Sequence, residues 1–587
     1  MSETGSEPRP IRTSLPDPTT ASNIQYFGGV GSEQPKSPHP ETHSTDTALF
    51  DDLRRLAIDD ETTTEFGSAA YVSEFRSRTA EKTANAVDDQ FDDTDYAHID
   101  RAVSAVENRQ LLCIDRLVGT HPGATFCCRL YVPPSYARIA HAWAKLFEPT
   151  DGREPDFVTV QLPDEQETAI RILPDDGFTA VLGSDYTGEA KKSFLRLFMY
   201  RLKQAGGLGL HAGSKRVCVQ TGSGLTASDS DPADSDCGST DSDSDTTASS
   251  ATDPTDSSGE IISDPSSKLR TVGQLFMGLS ATGKSTLTAH GCWLEEPEGA
   301  EMVQDDVCAL LPDGSVAGSE GGGLYVKTID LDAAEQPGLH AAVTDDSAVL
   351  ENVGVGEGGS VDFTDDRYTR NTRAVIRRSE LPSASDDIDL EGVDHLFFIT
   401  RNPLMPPVAK LDPEQAAVAF MLGESIETSA GDPERAGEHI RVVGTNPFII
   451  GPEGDEGNRF RALVESLDLE CFVLNTGSIG NRDCGDMVDS SDCGDIGDSE
   501  LGGSKDIGVK ESVTILTELA RDRVEWERDD QLGLAVPTAV PGLAIEDYRV
   551  ADYVTEYERA LESLRAERRA YLESFDHLDE AIINAVY

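Results

Sequence analysis

The chain has 587 residues and a formal net charge of −58, from 107 Asp plus Glu against 49 Lys plus Arg. That length allows two or more domains with substantial cores, and that charge excludes binding nucleic acid through its phosphate backbone. Lysine is scarce, 13 against 36 arginines, and acidity spread along the whole chain predicts adaptation to a high-salt cytoplasm where screening weakens self-repulsion. The competing reading is an ordinary acidic protein with disordered tails. The 10 cysteines show no paired C-x-x-C spacing, and Cys127 and Cys128 are adjacent. That pattern predicts reduced intracellular thiols rather than a disulfide framework or a zinc site. No apolar run of about 18 residues occurs, so no membrane span is expected and the protein is read as soluble and cytoplasmic.

In chain order, residues 1–48 are rich in Pro, Ser, Thr and Glu and predict a disordered polar tail. Phe157–Val160 reads as a strand and Ser193–Gln204 as a helix. Residues 220–267 and 481–503 are acidic low-complexity inserts, too poor in apolar surface to offset the entropy of ordering. Phe397–Thr400 and Cys471–Leu474 read as strands, and Ala551–Glu573 as a charged helix with apolar residues near helical spacing. The whole is a mixed α/β protein.

One stretch carries direct chemistry. Leu275, Phe276 and Met277 read as a strand that runs into Gly278-Leu279-Ser280-Ala281-Thr282-Gly283-Lys284-Ser285, a complete G-x-x-x-x-G-K-[ST] phosphate-binding loop. Ser285-Thr286-Leu287-Thr288 then opens a helix with Gly291 as its C-cap. In that strand–loop–helix setting the loop N–H groups and the helix N-terminus converge on phosphate oxygens. Lys284 adds a point charge at the β- and γ-phosphates, and the Ser285 hydroxyl is placed for Mg²⁺. About twenty residues on, Asp305-Asp306 offers carboxylates for a metal ion beside a triphosphate.

Further segments narrow the reading. Tyr186-Thr187-Gly188-Glu189-Ala190-Lys191-Lys192 and Gly209-Leu210-His211-Ala212 lie upstream of the loop, and Asn371-Thr372-Arg373 lies downstream. With these residues the chain resembles the ATP-dependent phosphoenolpyruvate carboxykinases. That family has a Y-x-G-E-x-K-K motif, a lone His, a G-L-S-G-T-G-K-[ST]-T loop, a D-D pair and an N-T-R triplet in this order. All five are present here, with Ala281 in place of the family's glycine. The resemblance runs from about residue 110 to the C-terminus, interrupted by the two acidic inserts.

The resemblance implies a two-domain fold: a substrate-side N-terminal domain over 49–206 and a nucleotide-binding C-terminal domain over 207–587. It also implies conversion of oxaloacetate and ATP to phosphoenolpyruvate, CO₂ and ADP in gluconeogenesis, by a monomer. Lys192, His211 and Asp306 would bind Mn²⁺, while Ser285 and the ATP phosphates would hold Mg²⁺ with Asp305 nearby. Lys191 would face the transferring phosphoryl group or the enolate. Arg373 would contact the γ-phosphate and the substrate carboxylate, where a planar fork suits the geometry. Tyr186 matches the family's substrate-side tyrosine, and the loop residues Gly278 to Thr286 would hold the nucleotide. Arg76, in Ser73-Glu74-Phe75-Arg76-Ser77-Arg78, stands in for the family's G-R-S-P-K-D arginine although the flanking residues differ, and Arg78 is its alternative. At the adenine side the run Lys505 to Ser512 departs from the family's R-I-S-I-K-D-T, with Ser512 in place of the threonine. Two rivals stand beside this reading: a diverged kinase with another acceptor on the same scaffold, and a non-catalytic ATP-binding regulatory protein. Lys191, Lys192, His211 and Asp306 together argue against the second, because ATP binding alone needs no transition-metal site.

Overall fold

The computed structural model describes residues 11–28, 43–74, 80–221, 268–279, 282–426, 439–480 and 503–587. The acidic inserts fall almost wholly outside these residues, as do Arg76, Arg78, Ser280 and Ala281. The fold is mixed α/β, with two eight-stranded sheets, a five-stranded sheet, a three-stranded sheet and smaller ribbons. Among the described residues no helix is long and apolar enough to cross a membrane.

The first large sheet runs Ile24–Phe27, Leu111–Val118, Phe126–Val132, Phe157–Leu162, Phe178–Leu182, Ala169–Leu173, Thr83–Asn85, with Glu148–Pro149 off one side. Every residue of Phe157–Leu162 is buried, which is why that strand reads as a continuous run rather than as alternation. Ile24–Phe27 corrects the tail predicted over 1–48, since it pairs in parallel with Leu111–Ile114. Ile24 and Tyr26 pack on the apolar cluster around Tyr131 and Val158, and Asn23 Nδ2 donates to the Val106 and Arg109 carbonyls at 3.0 and 2.8 Å. Four strand-forming residues were hidden by the polar composition around them.

Behind this sheet lies the helix Thr187–Gln204, with 14 of its 18 residues buried. It is buried nearly all round although Glu189, Lys191 and Arg196 among those buried residues are charged, and its apolar residues join Leu130 and Trp143 in one cluster. The helix begins at Thr187 rather than at the predicted Ser193, so Gly188 lies inside its first turn and the Lys191-Lys192 pair is helical.

The second large sheet runs Gly299–Gln304, Ala212–Thr221, Lys268–Met277, His395–Thr400, Glu470–Asn475, Val408–Leu411, Ala535–Ala539, Glu525–Arg528. Its three central parallel strands set Phe276 beside Phe397 and Phe397 beside Phe472 in register. The rings stack with centroids 5.2 and 5.3 Å apart, a cross-strand ladder that fixes how far the Lys268–Met277 strand projects before the phosphate loop begins. The predicted strands at 397–400 and 471–474 lie within His395–Thr400 and Glu470–Asn475. The late helix is shorter than expected, Tyr557–Leu572, because Glu556 sits in left-handed backbone at φ 55° and separates it from the turn Val550–Asp552.

The five-stranded sheet joins distant parts of the chain. It orders Gly323–Lys327, Arg373–Arg377, Val349–Glu351, Ala69–Tyr71 and Thr62–Thr63. Residues 62–71, expected with the substrate-side half, thus share a sheet with Arg373.

Candidate active site

The phosphate loop leaves the strand Lys268–Met277 where two glycines are structurally required. A Cβ on Gly278 would lie 2.5 Å from the Thr282 hydroxyl, and Gly283 turns through φ +91° as N-cap of the helix Lys284–Ala289. Thr282 folds the loop on itself through Oγ1 to the Leu279 carbonyl at 2.8 Å, and Thr476 Oγ1 clamps the Thr282 carbonyl at 2.7 Å. Ser285 and Thr286 are exposed at the mouth of the loop. The helix ends on His290 in extended backbone, so the C-cap expected at Gly291 does not form.

Asp306 is the junction of the site. Its Oδ2 accepts from Lys191 Nζ at 2.7 Å, its Oδ1 faces His211 Nε2 at 3.0 Å, and Lys284 Nζ lies 3.9 Å from Oδ1. Burial would raise the Asp306 carboxyl, but Lys191, His211 and Lys284 together hold it well below the usual carboxylate range. Its side chain is still 33% exposed, which leaves it open to a ligand. Lys191 also reaches Glu320 at 3.0 Å. Burial works against its charge, yet Asp306 and Glu320 keep the ammonium above its ordinary value, and Glu320 itself is pushed up to about 7 by burial.

His211 has a fixed tautomer. Its Nδ1 lies 2.6 Å from the Thr445 carbonyl, which can only accept, so Nδ1 carries the proton. In the neutral ring Nε2 is the free lone-pair donor, 3.0 Å from the Asp306 carboxylate, and a cation held by both groups would favour that form. Asp305 Oδ1 is buried with no hydrogen-bond partner among the described residues, a second oxygen suited to a cation. Among the described residues no group of three or more His, Cys, Asp or Glu is placed to hold a metal.

The two adjacent lysines diverge. Successive helical residues project about 100° apart, so Lys191 meets Asp306 while Lys192 Nζ lies 3.4 Å from Glu189 and 5.5 Å from the centre of the Tyr186 ring. The structure therefore brings Lys191, His211, Asp306 and Lys284 together and leaves Lys192 outside that cluster, against Glu189 and Tyr186.

The substrate side is a polar chain on a buried frame. Arg373 donates to Asn371 Oδ1 at 3.2 and 2.9 Å, and Asn371 Nδ2 donates to the Tyr186 hydroxyl at 3.2 Å. Tyr186 is pinned on both sides: Arg138 donates to Asp185 Oδ2 at 2.5 Å, and the Thr187 N–H donates to Glu351 at 3.1 Å. Tyr325 lies between Lys191 and Arg373, whose cationic groups sit 5.4 and 5.5 Å from its ring centre, and its hydroxyl donates to Glu351. Glu74, the last described residue before Arg76, donates its N–H to Asp185 at 2.7 Å. Ser512 is buried, and its hydroxyl donates at 3.0 Å to the Gly508 carbonyl in its own helix.

The sequence reading gave no role to Glu320, Tyr325, Glu351, Thr445 or Thr476. Thr445 meets His211 from 234 positions away, with no local pattern to mark it.

A family model described as phosphoenolpyruvate carboxykinase matches residues 71–227 and 263–546. Phosphoenolpyruvate carboxykinase (ATP) of Aeropyrum pernix is 33% identical over 424 residues, which span 71% of this chain and 72% of that protein. The protein of the same name from Mesorhizobium japonicum is 30% identical over 324 residues, 53% of this chain and 55% of that one. Its counterpart from Rhodopseudomonas palustris is 32% identical over 282 residues, 46% of this chain and 47% of that one. The chain thus spans about half the length of these last two. The ordered motifs, the junction at Asp306 and these matches lead to one conclusion: the chain belongs to the ATP-type phosphoenolpyruvate carboxykinase family of enzymes.

Proposed function

We propose that this protein decarboxylates and phosphorylates oxaloacetate with ATP, giving phosphoenolpyruvate, CO₂ and ADP, as a salt-adapted cytoplasmic monomer serving gluconeogenesis. The observation that carries this reading is the convergence of Lys191, His211 and Lys284 on Asp306 beside the phosphate loop. ATP binding alone requires the loop and Lys284 but not a buried lysine and histidine on the same carboxylate. A net charge of −58 with few lysines supports the salt-adapted part.

In this account the loop from Gly278 to Ser285 cradles the triphosphate through backbone N–H groups, and Lys284 neutralises the β- and γ-oxygens. Lys192, His211 and Asp306 are the residues that would hold Mn²⁺, with Ser285 for Mg²⁺. Together the two ions would supply positive charge at the enolate oxygen and at the phosphates. To join them, Lys192 would have to give up Glu189, now 3.4 Å away. Lys191, kept charged by two carboxylates, faces the transferring phosphoryl group. Arg373 offers its fork to the γ-phosphate and the substrate carboxylate, held at the right angle by Asn371. Tyr186 lines the oxaloacetate side, with Arg76 as the carboxylate anchor, and Ser512 sits at the adenine side. The helix Thr187–Gln204 belongs to the N-terminal substrate half, and the phosphate loop and the strands at 323–327 and 373–377 to the C-terminal nucleotide half. Closure of the two would keep water from the enolate.

An assay coupled to phosphoenolpyruvate formation tests this, run in molar KCl with Mn²⁺, Mg²⁺ and ATP, with and without oxaloacetate. Product that requires both substrates is expected. ADP release with a different acceptor and no phosphoenolpyruvate would favour a diverged kinase instead.

A further inference from the structure

The helix that carries Lys284 and Ser285 is only six residues long, and its last carbonyls lack intrahelical partners. Its end residue, His290, is extended at φ −72° and ψ 126°, and the next glycine does not close it. Lys215 occupies that end. It lies on the strand Ala212–Thr221, four residues after His211, and is completely buried. Its Nζ donates to the Leu287 carbonyl at 2.9 Å, the His290 carbonyl at 2.5 Å and Cys292 Sγ at 3.1 Å. Three acceptors use all three N–H bonds of an ammonium, and a cation at a helix C-terminus opposes the partial negative charge there.

Local packing leaves Lys215 little freedom. The pairing of its strand with Gly299–Gln304 shifts register between Ser214 and Lys215, and such an irregularity re-aims a side chain. Two residues earlier, a Cβ on Gly213 would lie 2.3 Å from the Thr288 hydroxyl, so the strand and the helix are in direct contact. One strand therefore follows directly from His211 and also grips the far end of the phosphate-loop helix. A six-residue helix is about 9 Å long, too short to absorb a shift at one end before it reaches the other.

We propose that Lys215 is a positioning residue for ATP: by fixing the C-terminal end of the Lys284–Ala289 helix it sets where Lys284 and Ser285 meet the phosphates. The inference rests on the ATP reading above and adds a residue that touches neither substrate. Burial lowers the Lys215 amine relative to an ordinary lysine, so the grip depends on all three acceptors being in place.

Calorimetric titration of Lys215→Met with a non-hydrolysable ATP analogue tests it, alongside Mn²⁺ binding read by electron paramagnetic resonance without nucleotide. Misplacing Lys284 and the loop N–H groups weakens charge-assisted hydrogen bonds to the phosphates, so the analogue Kd is expected to rise roughly 10- to 100-fold while the Mn²⁺ Kd changes less than about 2-fold. Lys215→Gln, which keeps two N–H donors without the charge, should fall between, and it carries the same readout should the Met variant not fold. An analogue Kd within about 2-fold of wild type in the folded variant overturns the proposal, as does an equal weakening of analogue and Mn²⁺. Failure of the wild-type protein itself to bind the analogue would instead defeat the ATP reading.

Discussion

Asp306→Asn is expected to lower kcat by roughly 10³-fold at saturating substrates and metal, comparable to removing a fixed electrostatic stabiliser from an active site. The carboxylate accepts from Lys191 at 2.7 Å, faces His211 Nε2 at 3.0 Å and lies 3.9 Å from Lys284. An amide of the same shape keeps the volume but has one oxygen for these partners and turns an NH₂ group toward the other. Placed against Lys191 that group opposes a cation; placed against His211 it removes the carboxylate a metal ion would need. Stability should fall as well, by about 1–3 kcal/mol for a buried donor left unpaired. The loss is limited because Lys191 retains Glu320 at 3.0 Å. Initial rates together with thermal denaturation separate the two effects. A variant retaining more than about a tenth of wild-type kcat would remove Asp306 from the centre of the chemistry.

Lys191→Met and Lys192→Met should give opposite signatures although the residues are neighbours. Lys191 is buried between Asp306 and Glu320. Its removal leaves two carboxylates facing each other, and breaking a buried pair in this way costs about 3–5 kcal/mol. Lys192 is 34% exposed and, among the described residues, meets Glu189, at 3.4 Å, and the face of Tyr186, so its loss should cost less stability than that of the fully buried Lys191. Turnover in Lys192→Met should nonetheless fall to background with Mn²⁺ present, while ATP binding stays within a few-fold of wild type. Unfolding midpoints, ATP titration and Mn²⁺-dependent rates on the two variants decide the matter. Wild-type turnover in Lys192→Met would show that it is not a metal ligand.

The clustering of Lys191, His211, Asp306 and Lys284 was legible because these residues sit in short, ordered segments. The candidate phosphate loop announces itself through Gly278, Gly283 and Lys284, and the backbone turn requires the two glycines. His211 and Asp306 were found by their order relative to the loop. Which lysine of the pair meets Asp306 was not legible, because that depends on how the helix Thr187–Gln204 is rotated in its burial site, and one residue turns the side chain by about 100°. Thr445 and Lys215 were invisible for a related reason: each acts across the tertiary fold on a residue far away in sequence, with no local pattern to mark it. The strand Ile24–Phe27 was missed because composition averaged over 48 residues conceals four that complete a sheet. The C-cap expected at Gly291 failed because a buried side chain satisfied the helix end first.

The account's central claim is that the phosphate loop and the Asp306 junction transfer the γ-phosphate of ATP to the enolate left by decarboxylation. Incubation with ATP labelled in its γ-phosphate, oxaloacetate, Mn²⁺ and Mg²⁺ in molar KCl tests this most directly. The account predicts label in phosphoenolpyruvate, equimolar with the CO₂ released. Label found only in inorganic phosphate, or CO₂ released without labelled phosphoenolpyruvate, would contradict it.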